Sequence, residues 1–401
     1  MKWEYKTLDQ LGTVSRGKSK HRPRNDPKLF GGKYPFIQTA DVKNADYYIT
    51  KYSDTYNESG LAQSKLWDKG TLCITIAANI ADTGVLAFPA CFPDSIMGFV
   101  PFEGVANTRF IKYCFDRLQR DCKQISQGTA QDNLSWEKLS TIKFCIPEYK
   151  EQCRIADILS AYDDLIENNQ KQIKLLEEAA QRLYKEWFVD LRFPGHENTE
   201  IVDGVPEGWR VASIADICDT VGGGTPSTKI QSYYEKGDIL WVTPTDITRN
   251  FSLALLDTEK KITPEGLKNS SAKMLPAETI LMTSRASVGF FGMCKYEVCT
   301  NQGFISCIPK RENLQMYLLF NLKSRVEEIR QKAGGSTYLE ISKTVFRELK
   351  IILPKDEVLA EYQKNVHDIF DEIYCRTEMI KSLVDMRNRL LPKLMSGEVE
   401  V

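Results

Sequence analysis

The stretch EQCRIADILSAYDDLIENNQKQIKLLEEAAQRLYKEWF, residues 151–188, decides how this chain is organised. It contains no Pro or Gly, and apolar side chains recur at alternating steps of four and three residues, as in a coiled-coil seam. The predicted seam consists of Ile155, Leu159, Tyr162, Ile166, Asn169, Ile173, Leu176, Ala180, Leu183 and Trp187. A helix of this length would extend for about 55 Å. It needs a partner, because a bare apolar stripe is not stable in water.

The chain supplies that partner 207 residues further on. The matching seam consists of Tyr362, Val366, Ile369, Ile373, Arg376, Ile380, Leu383, Arg387, Leu390 and Leu394. Asn169 and Arg376 fall at the same repeat position, and a polar residue inside a seam can fix register and partner choice at a cost in stability. The shared offset favours a paired coiled coil over two unrelated amphipathic helices.

The repeat extends beyond the helices. FIQTADV (36–42) matches WVTPTDI (241–247), and TLCIT (71–75) matches TILMT (279–283). Short strand-like segments alternate with one or two helices, which predicts an α+β (mixed α/β) fold in tandem repeat. The predicted segments are a first globular domain (1–147), a central long helix (148–189), a linker (190–208), a second globular domain (209–355), a distal long helix (356–395) and a tail (396–401).

Composition narrows the class of protein. Of the 401 residues, 42% are hydrophobic and 27% are charged, and the net charge is −1, so a nucleic-acid role would depend on local basic patches. No apolar run approaches the length of a membrane span and the N-terminus does not resemble a secretion signal, so we expect a cytoplasmic protein. The 11 Cys form no C-x-x-C pair, and His is found only three times. Reduced, buried thiols and no metal site are therefore expected.

One motif points to a different function. GTVSRGKS (12–19) matches the spacing of a phosphate-binding loop, with Gly12, Gly17, Lys18 and Ser19 at its defining positions. Such a loop needs a strand before it and a helix after it. The following residues, KHRPRNDPKLFGG, contain two Pro and a Gly pair and are a poor helix. A nucleotide-binding enzyme is thus the weaker alternative.

Polar and basic loops are better candidates for DNA contacts, although solvated loops of no function would look similar. In the first domain they are Arg16, Lys18, Lys20, His21, Arg22, Arg24, Asn79, Gln127, Thr129 and Gln131. In the second they are Thr225, Ser227, Thr228, Lys229, Ser284, Arg285, Ser287, Ser336, Thr337 and Tyr338. The triple Gly at 222–224 would let the backbone approach a phosphate closely. Asp41 and Asp246 occupy equivalent positions, where stabilising a turn is the more plausible role than reading a base.

Motifs for catalysis are missing from the sequence. There is no N-P-P-[FY], G-x-G-x-x-G or G-x-S-x-G. The chain is therefore predicted to bind rather than catalyse. A DNA-independent coiled-coil adaptor remains a further alternative.

Five strings in order give the chain a family resemblance: PEGW (206–209), GGGTPS (222–227), WVTPTDI (241–247), GSTYLEIS (335–342) and LLPKLMSGEV (390–399). Over its whole length the chain resembles the specificity (S) subunit of type I restriction-modification enzymes. The resemblance implies two target recognition domains, each reading one half of a split double-stranded DNA target. It also implies antiparallel helices that act as a spacer with pseudo-two-fold symmetry.

The same resemblance implies the partners. Two methyltransferase (M) subunits would dock on the helices, and restriction-translocase (R) subunits would complete the nuclease. S-adenosylmethionine, ATP and Mg would be bound by those partners, and this chain would be a non-catalytic part of a DNA adenine methyltransferase and endonuclease complex. Because the two domains differ strongly in sequence, the target is expected to be asymmetric.

Overall fold

The computed structural model of the chain describes residues 3–76, 82–125, 136–335 and 338–401. The chain forms two compact units, and their boundaries do not coincide with those of the sequence repeat. Unit 1 contains Met1–Ile166 and Leu383–Val401, whereas unit 2 contains Glu167–Ser382. The division runs through both long helices. The six-segment division made from the sequence stays a prediction.

Unit 1 is built on a five-stranded sheet. Its strands lie in the order Gly12–Arg16, Ile96–Pro101, Leu72–Thr75, Thr83–Leu86 and Tyr48–Ile49. Neighbours are antiparallel except for the last pair, which is parallel. Two-stranded pairs join Glu4–Lys6 to Phe144–Ile146 and Phe30–Phe36 to Asp54–Tyr56. The helices are Leu8–Leu11, Thr39–Lys43, Glu58–Ala62, Thr108–Ile125 and Trp136–Thr141, with a 3-10 turn at Pro27–Leu29.

Unit 2 repeats this plan with its own strands. Its antiparallel sheet has the order Cys218–Val221, Phe304–Pro309, Ile280–Thr283 and Phe291–Gly292. A second sheet joins Lys261–Ile262, Ile239–Val242 and Cys299–Thr300, and two pairs join Arg210–Ser213 to Lys350–Leu353 and Ile201–Val202 to Val205–Pro206. The helices are Ile214–Ile217, Pro244–Thr248, Pro264–Lys268, Gln315–Ser324, Val326–Gln331 and Lys343–Arg347. In the described part of unit 2, 3-10 turns lie at His196–Asn198, Gln231–Tyr233 and Glu312–Leu314.

The two main sheets therefore use matching strands in the same spatial order, although unit 2 lacks a described counterpart to Tyr48–Ile49 in this sheet. The mixed α+β tandem repeat predicted from the sequence is confirmed.

The first long helix is Tyr149–Tyr184, and it continues as a π-helical turn at Lys185–Val189. The second is Asp356–Ser396, with Pro392 in its last turns. In unit 2, the Arg376 guanidinium donates a hydrogen bond to the Asn169 side-chain oxygen (3.1 Å), and the Tyr362 hydroxyl donates to the Ala180 carbonyl (3.5 Å). From the first of these contacts to the second, the residue number rises on the first helix, from 169 to 180, and falls on the second helix, from 376 to 362. The helix pair in this unit is therefore antiparallel.

Most of the predicted seam is buried. The buried members are Ile155, Leu159, Ile166, Asn169, Ile173, Ala180, Trp187, Tyr362, Val366, Ile373, Ile380, Leu383 and Leu394. Tyr162, Leu176, Leu183, Ile369, Arg376, Arg387 and Leu390 are half-buried. Other positions not predicted from the heptad are buried as well, including Asp163, Tyr184, Phe370, Tyr374, Thr377 and Leu391. The buried stripe is wider than a simple seam because each helix also packs against a globular part of its unit.

The core of unit 1 shows this dependence. Ile155 and Leu159 share one core with Leu391, Leu394 and Met395 from the end of the chain. Leu8, Leu11, Phe110 and Phe144 belong to the same core. The first globular part is thus completed by the C-terminal segment, which lies in the second sequence repeat.

Within the part of the chain that the structure describes, no helix has both the length and the apolarity needed to span a bilayer. Among the described Cys residues, seven thiols are free and buried: Cys73, Cys91, Cys114, Cys218, Cys294, Cys299 and Cys307. Burial raises the pKa of the Cys73, Cys114 and Cys299 thiols well above the usual range, so these groups stay protonated. They act as small apolar side chains of the cores.

Candidate nucleic-acid interface

The phosphate-loop motif of residues 12–19 does not form a phosphate loop. Gly12–Arg16 is a strand that pairs antiparallel with Ile96–Pro101. A Cβ at Gly12 would lie 2.3 Å from the Val100 carbonyl oxygen, and one at Gly17 would lie 2.3 Å from the Phe92 carbonyl oxygen. The glycines are required by this close packing. The segment that follows holds only the 3-10 turn Pro27–Leu29, so no helix N-terminus faces a phosphate. The nucleotide-binding alternative is wrong.

Three of the six basic-loop candidates hold the loop itself in shape. The His21 ring lies 2.9 Å from the Asp26 carboxylate, and the Arg24 guanidinium lies 2.7 Å from Asp94. Arg22 donates to the carbonyl oxygens of Ser19 (2.6 Å) and His21 (2.8 Å). The Lys28 amide and the His21 ring hold the pKa of the Asp26 carboxyl below its usual value, so Asp26 stays ionised. These contacts stabilise the conformation of the loop.

The remaining candidates, Arg16, Lys18 and Lys20, are exposed, and no carboxylate pairs with them among the described residues. The structure places Lys65 near Lys18. The Ser64 hydroxyl donates to the Lys18 carbonyl (2.7 Å), and the His21 amide donates to the Gln63 side chain (3.0 Å). We call Arg16, Lys18, Lys20 and Lys65 the unit 1 cationic surface.

Lys65 was missed by the sequence reasoning. Its ammonium lies 3.5 Å from the centre of the buried Trp67 ring. Burial and the neighbouring charge of Lys18 lower the pKa of Lys65, and Asp68 offsets part of that effect. Two ammonium groups close enough to repel each other favour binding an anion between them. The nearby Trp67 could have drawn attention to Lys65, since cations often stack on Trp.

The triple Gly of unit 2 has a packing role. A Cβ at Gly223 would lie 2.0 Å from the Thr300 carbonyl oxygen, and one at Gly224 would lie 2.1 Å from the Ser271 hydroxyl. The Gly224 amide donates to the Thr300 carbonyl (2.9 Å), and the Trp241 indole donates to the Gly224 carbonyl (3.0 Å). The sequence predicted that these glycines let the backbone approach a phosphate. At Gly223 and Gly224 the space beside the backbone is instead filled by other residues of the chain.

The residues after the glycines are exposed. Thr225, Ser227, Thr228 and Lys229 lie on a turn that is anchored where the Tyr234 hydroxyl donates to the Pro226 carbonyl (2.6 Å). Thr225 also donates to the Gln302 side chain (2.5 Å). This turn can present hydroxyls and one ammonium group to a ligand.

Two other predicted turns of unit 2 come together in space. The Ala286 amide donates to the Leu339 carbonyl (2.8 Å), and the Ile341 amide donates to the Ser284 carbonyl (3.0 Å). The Arg285 guanidinium lies 3.7 Å from the Glu340 carboxylate. Ser284 is only 3% exposed and lies beneath the surface, whereas Tyr338 is 59% exposed. Arg285 and Ser287 are accessible.

Lys343 joins these turns and was also missed by the sequence reasoning. It is exposed, and a Cβ at Gly222 would lie 2.5 Å from its ammonium nitrogen, so it lies against the glycine turn. We call Thr225, Ser227, Thr228, Lys229, Arg285, Ser287, Tyr338 and Lys343 the unit 2 polar surface. It mixes hydroxyls, cations and one aromatic ring, which are groups that contact phosphates and base edges.

The remaining predicted residues either cap helices or lie outside the described part of the chain. Asp41 accepts from the Gln38 amide (2.8 Å), and Asp246 accepts from the Thr243 amide (2.7 Å), so both cap short helices as the more plausible interpretation predicted. Asn79, Gln127, Thr129, Gln131, Ser336 and Thr337 lie outside the described residues.

The family model for the type I restriction modification DNA specificity domain matches this chain twice, at residues 1–178 and 206–384. The chain belongs to that family. Each match covers one copy of the repeat, and each contains one of the two surfaces. Membership of this DNA specificity family assigns the chain a role in DNA sequence specificity.

Individual relatives agree with the family match. The MjaIX specificity subunit of Methanocaldococcus jannaschii is 27% identical over 420 residues, which cover 100% of this chain and 94% of the relative. The HindI specificity subunit of Haemophilus influenzae is 26% identical over 328 residues, or 66% of this chain and 71% of the relative. The crystal structure of a type I S subunit from M. genitalium has the same fold, with a TM-score of 0.57, 17% identity and coverage of 98% and 96% of the two chains.

Proposed function

We propose that this chain is the DNA specificity subunit of a type I restriction-modification complex, in which each unit reads one half of an asymmetric bipartite target. The observation that carries the proposal is the match of the DNA specificity domain to both copies of the repeat. The two copies also differ in the side chains that they expose. Unit 1 offers closely spaced cations, and unit 2 offers hydroxyls, Arg285 and Tyr338. Surfaces that differ in chemistry would read different half-sites.

The unit 1 cationic surface is suited to the DNA backbone. Burial lowers the pKa of Lys65, and the nearby charge of Lys18 lowers it further. A bridging phosphate would relieve the repulsion between these two cations. Each phosphate contact releases condensed counterions and makes binding sensitive to salt. Phosphate contacts of this kind would fix the position of unit 1 on the duplex, and base contacts would then specify the sequence.

The same proposal extends to partners. The long helices would set the spacing between half-sites and bind two methyltransferase subunits, and restriction-translocase subunits would complete the complex in the cytoplasm. S-adenosylmethionine, ATP and Mg would be bound by those partners. The chain itself would contribute recognition and assembly, and adenine methylation and cleavage would be carried out by its partners. Both relatives described above are named as specificity subunits of type I restriction enzymes, which supports this assignment.

A DNA-independent coiled-coil adaptor would also use the helices, but it gives no role to the unit 1 cationic surface. The two hypotheses differ in one measurement. The complex of this chain with its methyltransferase subunits should bind a duplex carrying the target with salt-dependent affinity and should bind a scrambled duplex more weakly. Equal, salt-independent affinity for both duplexes would favour the adaptor.

Replacing Lys65 by Gln is expected to lower the magnitude of the slope of log K against log salt concentration by about one, because one phosphate contact is lost. The change should weaken target and scrambled duplexes about equally. Lys33→Gln is the matched control, since Lys33 carries the same charge in unit 1 but pairs with Glu58 at 3.2 Å. An unchanged slope for Lys65→Gln would remove Lys65 from the interface.

A further inference from the structure

The two long helices are equivalent elements of the internal repeat, but equivalent positions on them carry different side chains and make different contacts. Residue 169 of the first long helix corresponds to residue 376 of the second, at a separation of 207. Every contact between the helices therefore has an equivalent, obtained by exchanging the two repeats. Comparing a contact with its equivalent shows what would happen if one repeat paired with a second copy of itself.

The pair Asn169 and Arg376 is its own equivalent. The Arg376 guanidinium donates to the Asn169 oxygen (3.1 Å) and lies 2.6 Å from Glu372 on its own helix. If two copies of the second helix paired, Arg376 would face Arg376, and like charges in a partly buried seam repel. If two copies of the first helix paired, Asn169 would face Asn169 with no guanidinium donor. The observed pair arises only between different repeats.

A second contact is charged in unit 1 and apolar at the equivalent positions of unit 2. The Arg387 guanidinium and the Tyr113 hydroxyl both donate to the carboxylate of Asp163, a residue that is 5% exposed as a whole. The equivalent residues are Phe370 and Ala180, which are 2% and 1% exposed. Pairing of two first helices would place Asp163 near Ala180 and leave a buried carboxylate without its guanidinium partner. Pairing of two second helices would place Arg387 near Phe370.

The ends of the helices differ in side-chain size. In unit 2, Phe188 and Trp187 pack on Tyr362, with ring centres 4.8 Å and 5.8 Å apart. Tyr184, Trp187, Phe188 and Tyr362 correspond to Leu391, Leu394, Met395 and Ile155 in unit 1. These aliphatic side chains share one core in unit 1. Aromatic rings would overfill that core, and aliphatic side chains would leave cavities in unit 2.

We propose that these three differences act as a pairing code, by which the long helix of each repeat accepts the helix of the other repeat and rejects a copy of its own. The partner that fits each seam is thus the opposite repeat of this same chain. The code concerns assembly of the chain and holds whatever DNA the chain recognises.

The test uses the full chain with a protease site inserted at Gly204, a turn residue with φ of 78° where an added Cβ would meet no atom within 4 Å. The protein is folded, cleaved, unfolded in urea and refolded, and native mass spectrometry then counts the fragment pairs. We expect nearly all pairs to contain one of each fragment. A statistical mixture, in which homotypic pairs equal mixed pairs in number, would overturn the proposal. A variant carrying Arg376→Asn, Asp163→Leu and Arg387→Met should shift the mixture towards homotypic pairs.

A second measurement on the uncleaved chain decides the matter if the fragments do not refold. Asn169→Arg places two guanidinium groups opposite each other and should lower the thermal midpoint by several degrees, about 3–6 °C. The exchanged variant, Asn169→Arg with Arg376→Asn, restores an Asn and Arg pair in the opposite order and should recover most of that loss. An exchanged variant no more stable than Asn169→Arg alone would contradict the code.

Discussion

Replacing Arg387 by Met is expected to destabilise unit 1 by about 3–5 kcal/mol, because it leaves the buried Asp163 carboxylate without its charged partner. Asp163 has a side chain that is 3% exposed, and Arg387 lies above it at 22%. The Tyr113 hydroxyl supplies a hydrogen bond but no charge. The loss should appear as a lower urea midpoint for the full chain, followed by circular dichroism.

The matched control replaces all three side chains of this polar cluster by apolar ones. Asp163→Leu, Arg387→Met and Tyr113→Phe together leave no charge or hydroxyl behind, and replacing a buried ion pair by apolar residues is often neutral or stabilising. We expect this triple variant to be much more stable than Arg387→Met alone. A single variant as stable as the wild type would show that Asp163 does not depend on Arg387.

The pH dependence follows from the pKa of Asp163. Burial raises the pKa of this carboxyl, and Arg387 and Tyr113 oppose that effect in part. In the Arg387→Met variant the folded-state pKa rises further above the unfolded value. A carboxyl of this kind binds its proton more tightly in the folded protein than in the unfolded chain. It therefore does not destabilise the fold at a pH below its pKa in the unfolded chain, and its destabilising effect grows as the pH rises towards its pKa in the folded protein. The stability deficit of the variant should therefore be smaller at about pH 4 than at about pH 7.

A matched insertion of seven residues in both long helices is expected to lengthen the gap between half-sites by about 3 base pairs, since seven helical residues add about 10 Å. The insertions fall between Ile166 and Glu167 and between Ser382 and Leu383, at the boundaries of the two units, so contacts inside each unit are kept. A full heptad also preserves the phase of the seam. The half-sites themselves should not change, because the two surfaces are untouched.

The measurement is sequencing of methylated DNA from cells that carry the altered gene with its methyltransferase partner. An insertion in the first helix alone is the control, and it should abolish methylation by misaligning the seam. A methylated motif with an unchanged gap in the matched variant would show that the helices do not set the spacing.

The sequence predicted the repeat and the long helices because both depend on periodicity, which is a local property that recurs at a constant offset. It did not predict that Asp163, one position from the expected Tyr162, would be buried. That burial depends on Tyr113 in a different part of unit 1. Heptad spacing describes how two helices pack on each other, but here each helix also packs on a globular part.

The surfaces were predicted only in part, for a related reason. Arg16, Lys18 and Lys20 could be found because they are neighbours in the sequence, whereas Lys65 and Lys343 reach their surfaces through the fold. The triple Gly was assigned to phosphate approach because the sequence could not show Thr300 and Ser271 packed against it. Close approach of the backbone has the same sequence signature whether the neighbour is a ligand or the chain itself.

The most direct test of the proposed role in DNA recognition is single-molecule sequencing of DNA methylation in cells that carry the operon, with and without this gene. We expect one motif of two unlike half-sites, separated by a fixed number of unspecified bases, that is methylated only when the gene is present. Replacing the residues of the unit 2 polar surface should then alter one half-site and leave the other unchanged. Loss of no motif, or loss of an uninterrupted palindrome, would contradict a role in reading a split, asymmetric target.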